Sequence, residues 1–277
     1  MKNILLLTDF SKNAKNAIDY ALQFFKGEEY HFYILNVHKT SRYTMGDLMT
    51  SSPTSTVYDS IIKNPKATLK KYIDQLKETY ANQPYNFEGI CDYDEFISAI
   101  KQVVKLKKID LIVMGTNGAT GAKEVIFGSN TLSTIRNTDL PVLVIPEGFK
   151  FTKPNTILFV TEHNEVFAKK SLSPLVHIIS KYDSELLILT LDKNNSVDLI
   201  KEKRDTIDSY FKGTQHSFYS ISNIPADIAI DSFMQIKHAD ITAKIINKES
   251  FLKRMVSGSS THDVTYKTRV PLLIMHP

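Results

Sequence analysis

The strongest constraint on this 277-residue chain is that its opening is written twice. Asn3-Ile4-Leu5-Leu6-Leu7-Thr8-Asp9 is echoed by Asn155-Thr156-Ile157-Leu158-Phe159-Val160-Thr161-Glu162, and an apolar run at His31 to Val37 is echoed at Leu186 to Leu191. The closing segments match as well. Gly128-Ser129, then Asp139-Leu140-Pro141 and Val142 to Ile145, parallels Gly258-Ser259, then Arg269-Val270-Pro271 and Leu272 to Met275. A repeat of this kind means that one supersecondary pattern folds twice. The length suits two domains of ordinary size, each able to bury its own core. Glu147 to Asn155, with Gly148 and Pro154, reads as the linker, so the expected domains are residues 1–147 and 155–277.

Inside the first copy, strands alternate with helices. Ile4 to Leu7 is a short continuous apolar run, the pattern of a strand buried on both faces of a parallel sheet. Ala14, Ala17, Ile18, Ala21, Leu22 and Phe25 then recur at helical spacing behind Ser11, a fitting N-cap. His31 to Val37 is the second strand, and Leu69, Tyr72, Ile73, Leu76 and Tyr80 mark one face of a second helix. Phe87 to Cys91, Ile109 to Met114 and Val142 to Ile145 supply three more strands, separated by a helix carrying Ile97, Ile100 and Val104 and by one opening near Ser129. The expected fold is therefore α/β: two tandem, doubly wound, parallel five-stranded sheets of Rossmann-like type. His38 to Asn64, rich in Ser, Thr and Met, shows no period and reads as a long loop, either a lid or a disordered excursion.

Several function classes fall away. No apolar run nears the ~20 residues that span a bilayer, and the N-terminus lacks a signal-peptide core, so a cytoplasmic protein with no membrane role is expected. The single cysteine, Cys91, cannot form an internal disulfide and reads as a packed residue. A net charge of +4 is spread over helical lysines rather than gathered into a patch, which argues against nucleic acid. Scattered histidines, among them His31, His38, His163 and His238, give no metal-ligand spacing, and no serine-hydrolase elbow, P-loop or zincin helix is present. No catalytic residue and no metal site are assigned.

Glycine is scarce, ten in all, yet Gly115, Gly118, Gly121 and Gly128 cluster between an apolar strand ending at Met114 and a helix. Gly115-Thr116-Asn117-Gly118 would let the backbone bend and bring bare amides against a phosphate. Gly128-Ser129-Asn130-Thr131 opens the helix, whose free N–H groups favour an anion, with Ser129 and Thr131 adding hydroxyls. In a doubly wound sheet ligands bind at the carboxyl ends of strands where the order reverses; Asp9, Val37 and Gly115 stand at those ends. Asp9 is a hydrogen-bond acceptor for a ribose or base, a partner for a metal beside phosphates, or simply a helix cap. Val37 is either a wall for adenine or core packing, and glycine turns also serve tight packing with no ligand. Lys123, inside the loop, reads as solvent-facing.

Gly115-x-x-Gly118, nine residues, then Gly128-Ser129 resembles the ATP-binding pattern of the universal stress protein family, and Thr8-Asp9-Phe10-Ser11 resembles its first-strand signature. The resemblance covers nearly the whole chain as a tandem pair. It implies a stress-response regulator holding ATP, or AMP or ADP, with Mg2+ accompanying ATP. It places Leu7, Thr8, Asp9, Val37 and Met114 toward the nucleoside and Gly115, Asn117, Gly118, Gly121, Gly128, Ser129, Asn130 and Thr131 toward the phosphates. Leu7 departs from the proline common there. It also implies that the fifth strands, Val142 to Ile145 and Leu272 to Met275, pair about a pseudo-twofold axis as a fused dimer, with homodimerisation open; unprotected short edges supply a physical reason.

The second copy departs from the pattern. Counting back from Gly258, Ile245 and Lys248 stand where Gly115 and Gly118 stood, and Glu162 where Asp9 stood. Side chains there would fill phosphate space or forbid the turn. The expectation is nucleotide binding in the first domain only, beside a degenerate partner. Two other readings stay open: a slow ATP hydrolase using the same crevice, and a ligand-free interaction scaffold.

Overall fold

The computed structural model describes residues 1–38, 56–116, 127–162, 167–192, 197–247 and 269–277. By compactness the chain divides into Met1–Met114 and Gly115–Pro277.

The first unit opens with strand β1 (Asn3–Leu7), whose Ile4, Leu5 and Leu6 are fully buried, as the continuous apolar run requires. Helix α1 (Lys12–Phe24) follows, with Ser11 in extended conformation and its hydroxyl accepting from the Ala14 amide. Strand β2 (Tyr30–Val37), helix α2 (Thr56–Thr79), strand β3 (Tyr85–Asp92), helix α3 (Phe96–Lys107) and strand β4 (Leu111–Gly115) complete the series. Strand order is β3-β2-β1-β4 and every pairing is parallel. The chain thus works outward from β1 to β3, then returns to the other side of β1. That reversal between β1 and β4 makes the topological switch point of a doubly wound sheet.

Helix α2 begins at Thr56, inside the stretch expected to be a loop, and carries Pro65 within it. Its first turns do carry a helical spacing, at Val57, Tyr58, Ile61 and Ile62, which the Ser-, Thr- and Met-rich residues before them masked. Residues 39–55 of that stretch lie outside the described residues. Helix α2 packs closely on β3 at Gly89: a Cβ there would strike Ile73 Cδ1, the far end of a flexible side chain, and lie 3.1 Å from Leu69.

The second unit holds helix α4 (Ser129–Asn137), strand β5 (Val142–Ile145), strand β6 (Thr156–Glu162), a 3-10 turn at Lys169–Leu172, helix α5 (Ser173–Tyr182), strand β7 (Glu185–Asp192), helix α6 (Val197–Tyr210), strand β8 (His216–Ser222), helix α7 (Ala226–Lys237), strand β9 (Ile241–Ile245) and strand β10 (Leu272–Met275). Its order is β5-β10-β9-β6-β7-β8, parallel except where β5 meets β10. There Leu272 faces Val144 and Ile274 faces Val142 in an antiparallel register. This ladder is why compactness assigns β5 to the second unit, although the sequence repeat counts it with the first copy.

One device is built twice. In the first unit Asp110 Oδ2 accepts from the Lys2 and Asn3 amides at 2.7 and 2.9 Å, clasping the start of β1 to the start of β4. In the second, Asp240 Oδ2 accepts from the Asn155 and Thr156 amides at 2.8 and 2.9 Å.

Candidate functional site

The first unit brings the sequence-expected residues Leu7, Thr8, Asp9, Val37 and Met114 to the carboxyl ends of β1, β2 and β4. Leu7 and Met114 are buried, Val37 is half-buried and Asp9 is exposed. The turn after β1 is tightly organised. Thr8 Oγ1 accepts from the Phe10 amide at 3.0 Å and Asp9 Oδ1 from the Ser11 amide at 2.9 Å, so successive side chains satisfy successive N–H groups. Between them Phe10 sits at φ +62°, a left-handed conformation that costs a non-glycine residue about 1–3 kcal/mol. Its ring stands edge-on to Tyr72, centroids 6.3 Å apart, which helps hold the bend. Ser11, not Asp9, caps α1, so one Asp9 oxygen serves the turn while the carboxylate stays open to solvent.

Two residues that the sequence reading passed over belong to this end of the sheet. Asn36 is buried and its Nδ2 donates to the Thr8 carbonyl at 2.8 Å, while its Oδ1 is buried without a partner. His38 stacks on Tyr93 at 5.9 Å, and its Nε2 is buried with no partner among the described residues. Burial pushes the His38 pKa below the ordinary histidine value. Asn36 had a visible signal, an amide inside an otherwise apolar and aromatic run.

The second unit opens on the glycine segment. Asn117, Gly118 and Gly121 lie outside the described residues, as does Lys123. Thr116 donates its amide to the Ile145 carbonyl at 3.0 Å, and its fully buried hydroxyl has no partner among the described residues. Helix α4 starts behind Gly128 with no side-chain cap and no acidic residue in its first turn. Two helices of the first unit end differently: Ser11 caps α1, and Glu95 caps α3 by accepting from Ile97 and Ser98. Ser129 and Asn130 are exposed on the open first turn of α4. Thr131 is buried and its hydroxyl donates to the Gly115 carbonyl at 3.3 Å, so it braces the segment rather than offering that proton to a ligand.

A groove of about 340 Å3 runs along β3 and the last turns of α3, lined by Cys91, Leu106 and Lys107 among others; none of Leu7, Thr8, Asp9 or Val37 lines it. Among the described residues no cluster of His, Cys, Asp and Glu is arranged to hold a metal, and no helix is long and apolar enough to cross a membrane.

The model of the universal stress protein family matches residues 1–146. A universal stress protein of Bacillus subtilis is 29% identical over 148 residues, covering 51% of this chain and 97% of its own length. One from Methanocaldococcus jannaschii is 29% identical over 150 residues, covering 52% of this chain and 81% of its own length. The crystal structure of a universal stress protein from Archaeoglobus fulgidus matches 98% of this chain and 95% of its own, with TM-score 0.68 at 18% identity, a likeness of fold.

Proposed function

Because the chain belongs to the universal stress protein family, we propose that it is a stress-response regulator whose residues 1–146 take up one adenine nucleotide, with ATP as the first candidate. In this reading Leu7, Thr8, Asp9, Val37 and Met114 face the nucleoside, and Gly115, Asn117, Gly118, Gly121, Gly128, Ser129 and Asn130 face the phosphates, with Thr131 behind them.

The observation that carries the reading is the bare start of α4. A helix N-terminus leaves four amides without intrahelical partners and carries a positive partial charge. Ser11 accepts from one such amide of α1 and Glu95 from two of α3; α4 starts behind Gly128 without a side-chain cap, as α5 and α7 do, and it is the uncapped helix that directly follows the glycine segment. An anion is the chemistry that completes such an end. The unpartnered Thr116 hydroxyl, one residue past Gly115, is a second polar group in need of a partner. When ATP enters with Mg2+, the exposed Asp9 carboxylate is the group of the strand ends suited to the cation.

The test is calorimetric. Titration of ATP into the full chain should give saturable binding, and Gly118→Val should lower affinity at least 100-fold while leaving the fold unchanged by circular dichroism. Equal affinity in that variant would refute the assignment of the glycine segment.

A further inference from the structure

The two halves fill the same place in the sheet with different chemistry. Chain order reverses between β1 and β4 in the first unit and between β6 and β9 in the second. Ile4 pairs with Leu111, and Ile157 with Ile241. Three residues beyond Leu111 and Ile241 come Met114 and Lys244; five beyond Ile4 and Ile157 come Asp9 and Glu162. Lys244 and Glu162 therefore hold the positions of Met114 and Asp9.

Strand β9 reads Ile-Thr-Ala-Lys-Ile and is buried throughout, Lys244 being only 7% exposed. A lysine is almost never buried in a parallel strand unless it is paired. Its Nζ lies 3.3 Å from Glu162 Oε1, on the neighbouring strand, and the Glu162 side chain is itself only 18% exposed. In the first unit the corresponding carboxylate, Asp9, is exposed and the corresponding β4 residue, Met114, is apolar.

We propose that Lys244 and Glu162 decide the ligand specificity of the second half: their ion pair is the resident occupant of the β6/β9 switch point and shuts adenine nucleotide out of it. This rests on the reading of residues 1–146 as the nucleotide site. The reasoning is electrostatic. Asp9 is exposed and available to a cation that accompanies phosphates, whereas Glu162 and Lys244 neutralise each other, so neither charge is available to a nucleotide or to its cation. Admitting a ligand would require parting the buried Lys244 ammonium from the half-buried Glu162 carboxylate, which leaves a lysine charge in the strand without its carboxylate. The pair excludes nucleotide independently of the altered residues Ile245 and Lys248.

The test transplants the pair. The full chain carrying Asp9→Glu and Met114→Lys together acquires the second half's arrangement in the first. ATP affinity by calorimetry should fall at least 100-fold, with thermal unfolding in the range of the parent chain. Parent-like affinity in the folded double variant would overturn the proposal. Hydrogen exchange on the unmodified chain keeps the question answerable if that variant does not fold. Saturating ATP should slow exchange at residues 3–9 and 111–116 and leave 156–162 and 241–247 unchanged; slowing in the latter pair overturns the proposal. Absence of any ATP binding by the unmodified chain would instead refute the nucleotide reading itself, so the two failures are distinct.

Discussion

The two copies of the repeat share their scaffold and diverge at their strand ends. Asp110 and Asp240 each clasp two backbone amides at the amino end of the first strand of their copy. At the opposite end, an exposed aspartate beside a buried methionine in one copy becomes a half-buried glutamate paired with a buried lysine in the other. The difference teaches that the repeat retains what builds the sheet and changes the charged groups at its strand ends.

The largest expected effect comes from removing one member of that pair. Lys244→Met takes the cation from the half-buried Glu162 and should cost about 2–3 kcal/mol of stability, measured by denaturant unfolding. Combining Lys244→Met with Glu162→Gln should recover much of the loss. A double variant as unstable as the sum of the single changes would remove the pair from the comparison.

The clasps come next. Asp110→Ala and Asp240→Ala each strip a carboxylate from two amides and should each cost about 2 kcal/mol. Similar losses would sharpen the claim that the scaffolds are equivalent, and a large effect in one copy alone would break it.

A smaller asymmetry lies on the outer strands. Gly89 pairs with Ile34 on β2, and the corresponding residue opposite Ile188 is Phe218, over whose ring the Arg204 guanidinium sits at 4.9 Å. Gly89→Ala should cost about 1 kcal/mol, the low end of overpacking, because the struck atom is the terminal methyl of Ile73. A thermal melt with no shift would show that the helix over β3 adjusts freely.

The mildest effect is a pH slope. His38 is held below its ordinary value of 6.5 by burial, so in the window from 6.5 down to its folded-state value the unfolded chain binds the extra proton. Stability should rise with pH through that window and level off above it, and His38→Gln should flatten the slope. A parent chain with no slope there would show that His38 does not feel its burial.

Much of the architecture was legible because continuous apolar runs and helical spacing leave few alternatives. Ile4 to Leu7 and Val142 to Ile145 are strands as the runs require, and Ser11 caps α1 as its position demands. The start of α2 at Thr56 was missed although Val57, Ile61 and Ile62 stand at helical spacing, because the Ser- and Met-rich residues before them set the reading of the whole stretch. At the candidate site, composition pointed to glycines and hydroxyls but could not tell which hydroxyl turns inward. Thr131 bonds the Gly115 carbonyl, a fact of geometry with no signature in the residue string. Lys244 was visible as a charge inside an apolar strand, yet only strand register shows that Glu162 reaches it.

The central claim is that the repeat is functionally unequal, one copy holding a nucleotide and the other holding its own ion pair. Native mass spectrometry of the full chain with excess ATP measures this most directly. The account predicts one nucleotide per chain, lost in Gly118→Val. Two nucleotides per chain, or none, would contradict it.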